Sequence, residues 1–289
     1  MIHIQQLTVH YGDHQALHID QPIHIAPGDR VGIIGKNGAG KSTLLKALLN
    51  LVPWKGQCQL AVAQNRIGVH LQRNNYVSTM PVSAVMTAIL GTTPKKNERA
   101  KTLIDFFGFE ACLKKRYDRL SGGEQQKMTL ILVLSQDHPL VFLDEVTSGL
   151  DFITRENLMH LLNQWYDDKN TTLCLISHYY DELEELVNKI LLLDDGHVVA
   201  FGDKDALFQK YIGQHVYTVP NTETARRCLA PFPQIITPEH LLGFSPADKD
   251  MESALLNTLF DANLDYTRSS RDIELMSVNA LAAEKGGRP

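Results

Sequence analysis

The chain has 289 residues, which fits one large domain or two smaller ones. Hydrophobic residues make up 44% and charged residues 21%, the balance of a globular protein with a sizeable core. A formal net charge of −5 argues against nucleic acid as a partner, and the four cysteines (Cys58, Cys112, Cys174, Cys228) have neither CxxC nor zinc spacing, as expected of thiols kept reduced.

The first residues contain no basic segment followed by an apolar core, so no signal peptide is expected. No window of about 18 apolar residues predicts a membrane span. Residues 2–10 and 15–25 alternate apolar and polar, as in HIDQPIHI, and predict half-buried antiparallel strands. His3, His10, His14, His18 and His24 lie here without acids at ligand spacing and read as surface or edge residues. RVGIIG (Arg30 to Gly35) is a short apolar run ending in glycine, and KSTLLKALLN (Lys41 to Asn50) has helical periodicity. QCQLAVA, after Pro53 and Gly56, belongs to a further strand pair, and VSAVMTAIL and RAKTLIDFFGF predict helices. Lys95, Lys96, Arg99 and Lys101, then Lys114, Lys115 and Arg116, read as solvated basic faces.

A helix is predicted from GGEQQKMTLILVLSQ, starting at an LSGG turn. PLVFLD (Pro139 to Asp144) is continuously apolar until its last residue, the pattern of a buried parallel strand. A helix from about Phe152 to Tyr166, the strand TLCLIS and the helix YYDELEELV follow. LLLDDGHVVAFG predicts a hairpin turning at Asp-Gly. Strands alternating with helices indicate an α/β fold around a largely parallel sheet. Prolines crowd the chain beyond Gln214, and MESALLNTLFDAN predicts an amphipathic helix. A boundary is placed near residue 216, with AAEKGGRP as a frayed end.

GKNGAGKS fits G-x-x-x-x-G-K-[ST] at every fixed position: Gly35, Gly40, Lys41 and Ser42. It lies between an apolar strand and a helix, the context in which such a loop cradles phosphates. Glycines let backbone N–H groups point inward, and the helix amino terminus adds positive potential. Lys41 would reach the β- and γ-phosphates, and Ser42 would offer its hydroxyl to Mg²⁺. PLVFLDE brings two acids to the carboxyl edge of the same sheet. Asp144 would hold Mg²⁺. Glu145, turned differently, would face the γ-phosphate and take a proton from the attacking water.

These motifs and their order resemble those of the ATP-binding subunit of an ABC transporter. Along the chain come GKNGAGKST, the glutamine of GVHLQRN, LSGGE, VFLDE, SGLD and the histidine of LISH, over about residues 1–215. The resemblance implies a P-loop NTPase fold of the ABC type: a mixed sheet core, an antiparallel β subdomain and a helical subdomain over about 73–135. Residues 216–289 are expected to form a small α/β accessory domain. ATP and Mg²⁺ are the implied cofactors.

Site residues follow from the same resemblance. Tyr11 would stack on adenine, and Asn37, Gly38, Ala39 and Thr43 join Gly35, Gly40, Lys41 and Ser42 around the phosphates. Gln72 would touch Mg²⁺ or the lytic water, and His178 would contact the γ-phosphate. Ser121, Gly122, Gly123 and Asp151 would act across a dimer, on nucleotide held by the second subunit. Val146 and Lys36 replace prolines frequent in the family, and neither supplies a catalytic side chain. The implied partners are transmembrane permease chains and a second ATP-binding subunit, at the cytoplasmic face of the membrane, with no nucleic acid. RDIELMSV loosely resembles the Ser-Leu-Glu-Asp-Val-Phe-Leu element of ABC-2-type exporters, Ile273 and Glu274 matching Leu-Glu but Ser277 replacing Phe. Export is therefore expected. A regulatory tail on an importer, and a soluble ABC ATPase acting on ribosomes or DNA, are the alternatives.

Overall fold

Four strands at the amino-terminal end form an antiparallel sheet: β1 (Ile2–Tyr11), β2 (His14–Ile19), β3 (Ile23–Ile25) and β5 (Lys55–Leu60). This and all that follows come from a computed structural model, described for residues 1–72, 74–148, 150, 152–167 and 170–286. The apolar side chains of β1 fall at Ile2 and Ile4, then at Leu7 and Val9. One residue too many separates the pairs, and a bulge between Ile4 and Gln6 absorbs it, so all four stay on the buried face. The expected strand over 15–25 is two strands instead. It breaks at Asp20–Pro22, where proline has no N–H to offer a ladder.

The central sheet has the order β10-β9-β4-β8-β7-β6. β4 (Arg30–Ile34), β6 (Ile67–His70), β7 (Leu140–Asp144), β8 (Thr172–Ile176) and β9 (Lys189–Asp194) run parallel. β10 (His197–Asp203) returns antiparallel through the Asp195–Gly196 turn, both residues at positive φ as a two-residue hairpin requires. Alternate residues of each central strand enter two different cores. Leu140, Phe142, Cys174 and Ile176 pack towards the first sheet and α1 (Lys41–Leu48). Val141, Leu143, Leu173 and Leu175 pack towards α4 (Gly122–Leu134), α5 (Phe152–Asp167) and α6 (Tyr180–Leu186). Burial on both faces is why these strands read as continuous apolar runs.

α2 (Val82–Leu90) and α3 (Glu98–Phe106) lie beside α4. α2 stops at Gly91, whose φ of 68° is left-handed, and α3 is capped by Asn97, whose side chain accepts the Ala100 N–H. Several members of the basic runs have acidic partners: Lys95 with Glu110, Arg99 with Asp137 and Lys115 with Glu124.

After α7 (Lys204–Tyr211) the chain forms β11 (Val216–Pro220), α8 (Glu223–Leu229), β12 (Gln234–Ile235), β13 (Leu241–Phe244), α9 (Lys249–Asp261) and β14 (Thr267–Ser269). The strand order is β12-β13-β11-β14, all antiparallel, the β-α-β-β-α-β arrangement of a ferredoxin-like unit. It has its own core, including Tyr217, Val219, Leu229, Phe244, Leu255 and Leu259. α10 (Ile273–Glu284) leaves this unit and packs on α6 and α7, burying Ile273, Leu275, Met276 and Ala280 in the core of the larger body. The expected frayed end is helical as far as Glu284, and Lys285 lies 2.9 Å from Asp194.

Candidate nucleotide-binding site

β4 runs into the loop at Gly35, and α1 begins at Lys41. Gly35 has φ 146°, and a Cβ there would lie 2.2 Å from the Leu193 carbonyl oxygen, so only glycine fits. The loop rests on two hairpins. Gly196 N–H donates to the Ala39 carbonyl at 3.2 Å, and the Gly40 Cα faces the Ala16 carbonyl of β2. Asn37, Gly38 and Ser42 are exposed, Thr43 is partly so, and Ala39 and Gly40 are buried. Gly40 gives α1 no side-chain cap, which leaves the first N–H groups of that helix for another acceptor.

Lys41 is only 7% exposed. Its ammonium donates to the carbonyls of Gly35 at 2.6 Å and Lys36 at 3.0 Å. Burial lowers its pKa, while the carboxylates of Glu145 and Asp144 oppose that. Asp144 ends β7 and is buried. Burial first, then the Glu145 charge, pushes its carboxyl up to about 6, against Lys41 and a hydrogen bond from the Ser42 hydroxyl. A buried acid beside a second acid, with a hydroxyl in reach, is a set of hard oxygen donors. It suits Mg²⁺, which takes one or two carboxylates together with phosphate oxygens.

Glu145 turns away from its strand with φ 52°, left-handed for a residue that is not glycine. Its N–H donates to the Ile176 carbonyl at 2.9 Å, which ties the ends of β7 and β8 together. Such a backbone costs about 1–3 kcal/mol and persists where the surroundings over-determine it. The result is that the Glu145 carboxylate points at two partners. The Gln72 amide donates to one oxygen at 3.0 Å, and His178 Nε2 lies 2.8 Å from the other. Gln72 follows β6, Glu145 follows β7 and His178 follows β8, three adjacent strands of the sheet.

Tyr11 ends β1 with its side chain 45% exposed. It pairs with His14, on the hairpin whose Ala16 touches the loop. Ser121 caps α4: its hydroxyl accepts the Glu124 N–H at 3.3 Å, and Glu124 accepts the Ser121 N–H at 2.8 Å. Lys115, then that Ser121 N–H, hold the Glu124 carboxyl down at about 2. Nothing crowds the Cα of Gly122 or Gly123. They line an open cleft of about 450 Å³ with Gln72, Tyr117, Gln125 and Ser148. Among the described residues, no hydrogen bond or ion pair joins Ser121–Gly123 to the phosphate loop or to Glu145. Asp151 lies outside the described residues.

The structure also reveals a residue that pattern reading passed over. Glu182 is 3% exposed on the first turn of α6, bonded to Ser177 beside His178. The available signal was an acid next to Leu183 on the buried side of YYDELEELV.

The profile of the family described as "ABC transporter" matches residues 20–148. The thiamine import ATP-binding protein ThiQ of Yersinia pseudotuberculosis is 30% identical over 220 residues, covering 72% of this chain and 92% of that protein. This chain belongs to the ABC transporter ATP-binding subunits. The manganese transport system ATP-binding protein MntB of Listeria innocua is 31% identical to it over 232 residues, 75% of this chain and 95% of that protein. The fold agrees: a dimeric ATP-binding cassette in a post-hydrolysis state, bound to ADP and Pi, superposes with a TM-score of 0.61 at 22% identity, covering 70% of this chain and 98% of that one. The ABC subunit described here is thus an ATPase that uses ATP with Mg²⁺ and serves a transporter. No helix among its described residues is long and apolar enough to cross a membrane.

Proposed function

We propose that this subunit is the motor of a membrane importer, closing on ATP as a dimer and driving separate permease chains from the cytoplasmic face. The observation that carries the proposal is the Glu145 carboxylate, held between Gln72 and His178 at the end of β7, beside Asp144 and Lys41. The phosphates enter the loop over the N–H groups of Gly35–Gly40 and of the α1 amino terminus. Lys41 exchanges the carbonyls of Gly35 and Lys36 for phosphate oxygens, Asn37, Gly38, Ala39 and Thr43 complete the cradle, and Tyr11 stacks on adenine. Ser42 and Asp144 hold Mg²⁺, with Gln72 beside them; bound there, the ion neutralises charge developing on the phosphates. Glu145 accepts the proton of the attacking water, and His178 orients towards the γ-phosphate.

Ser121, Gly122 and Gly123 lie open at a helix amino terminus, with no hydrogen bond or ion pair to their own chain's loop among the described residues. They serve the nucleotide of the second subunit, together with Asp151, so two chains enclose two ATPs. Residues 1–215 act as the ATP-driven unit, and 216–289 as its accessory domain.

The direction is proposed from the relatives. ThiQ is named as an import protein, and no reported relative supports the export expected from RDIELMSV. The test is purification of the native chain from membranes, followed by reconstitution of the integral membrane protein that accompanies it into vesicles with ATP on the side of this subunit. ATP-dependent movement of solute towards the ATP side supports import. Movement away from it refutes the direction, and repeated absence of any integral membrane protein refutes the transport role.

A further inference from the structure

The two loops that carry Glu145 and His178 leave neighbouring strands, joined at their roots by the Glu145–Ile176 backbone bond. On the His178 side of that bond, a buried side chain organises the loop. Glu182 accepts the Ser177 hydroxyl at 2.6 Å, and Ser177 Oγ in turn accepts the Tyr179 N–H at 3.0 Å, closing a small ring around His178. Thr147, two residues beyond Glu145 and itself buried, stands near the same carboxylate, whose second oxygen accepts no hydrogen bond among the described residues. On the far side stands Arg155 of α5, 3.8 Å from the second carboxylate oxygen. Arg155 lies over the Tyr179 ring at 4.3 Å and bonds Asp181 at 3.2 Å. A carboxylate at 3% exposure is expensive to bury, and a leucine would pack there at less cost.

We propose that Glu182 is a positioning residue for ATP hydrolysis, holding His178 in place opposite Glu145 by tying Ser177 and Arg155 to one carboxylate. The proposal rests on Glu145 and His178 acting as described above. Glu182 touches neither nucleotide nor metal. Its removal loosens the ring around His178 while the Glu145–Ile176 backbone bond and the phosphate loop stay intact, so it acts on turnover rather than on ATP binding. Misplacement of a reacting group by about 1 Å costs up to about 100-fold in rate.

The experiment compares steady-state ATP hydrolysis and equilibrium ATP binding in wild type, Glu182→Ala, Glu182→Gln and Ser177→Ala. Glu182→Ala is expected to lower kcat at least about 10-fold, with KM and ATP affinity within about threefold of wild type. Glu182→Gln keeps an oxygen acceptor for Ser177 and retains kcat within about threefold. Ser177→Ala lowers kcat in the same direction, and combining it with Glu182→Ala adds little, because both break one link. A normal kcat in Glu182→Ala or Ser177→Ala overturns the proposal, and so does a Glu182→Gln loss equal to that of Glu182→Ala. If Glu182→Ala does not fold, Ser177→Ala and Glu182→Gln decide by the same criteria. Glu145→Gln is the reference. Normal turnover in that variant refutes the site itself, whereas a dead Glu145→Gln beside normal Glu182→Ala and Ser177→Ala refutes only the role of Glu182.

Discussion

Replacing Glu145 by glutamine removes a base while keeping a shape. The side chain sits on a backbone with φ 52°, equally strained for either residue. It accepts the Gln72 amide at 3.0 Å, a bond the glutamine oxygen can keep. The His178 contact of 2.8 Å also survives if the new amide donates to a neutral imidazole carrying its proton on Nδ1. What disappears is the ability to take a proton from water. General-base catalysis contributes about 10²–10⁴-fold, so kcat should fall by that factor, about 3–5 kcal/mol in barrier. Lys41, Ser42 and Asp144 are untouched, so ATP should bind within about threefold of wild type. Phosphate release gives the first quantity, a binding titration the second, and light scattering at saturating ATP should show the trapped dimer. Turnover within about threefold of wild type would mean that Glu145 is not the base and that its place between Gln72 and His178 has another purpose.

The Asp144 carboxyl, ordinarily near 3.8, is raised to about 6 by burial and by Glu145. A folded state that binds the proton more tightly loses stability as pH rises from 3.8 to about 6, and the whole cost is present above that window, on the order of 3 kcal/mol. Asp144→Asn should therefore raise stability at pH 7.5 without Mg²⁺ by about 1–3 kcal/mol in denaturant unfolding, and should abolish Mg²⁺-dependent hydrolysis. Equal stability of the two proteins would contradict the buried charge. In wild type, Mg²⁺ should bind more weakly below about pH 6, where the proton competes for Asp144. Lys41→Ala should lose ATP affinity at least about tenfold by calorimetry, since the ammonium now on the Gly35 and Lys36 carbonyls would have no successor on the phosphates. Unchanged affinity would contradict the phosphate-loop reading. Met276→Ala should cost about 2–4 kcal/mol in stability, because that side chain is 1% exposed within the larger core. A loss below about 0.5 kcal/mol would show that α10 contributes no packing there.

Local pattern carried a large part of the site. The glycines and lysine of Gly35–Ser42 declare themselves because a tight loop with left-handed φ excludes side chains; a Cβ at Gly35 would lie 2.2 Å from the Leu193 carbonyl oxygen. The acid pair at the end of an otherwise apolar PLVFLDE was equally legible, because a strand buried on both faces tolerates charge only at its rim. Tyr11 and Gln72 carried little signal of their own, and their place in the order of motifs along the chain drew attention to them. The tail showed α9 but not α8, α10 or its ferredoxin-like strand order, since β12 has two residues and β14 three, too few for a period to show.

By itself the sequence determined the phosphate loop, the acid pair and the alternation of strands and helices, all of which depend on neighbours within a turn or a strand. Tertiary structure alone decided that β6, β7 and β8 lie side by side, which brings Gln72 and His178 onto the Glu145 carboxylate. It also decided that Glu145 is left-handed, that Glu182 is buried between two loops, and that α10 returns to the larger core. The physical reason is range. A hydrophobic period or a glycine turn is written in adjacent residues, whereas strand order and buried polar contacts are set by the packing of segments dozens of residues apart.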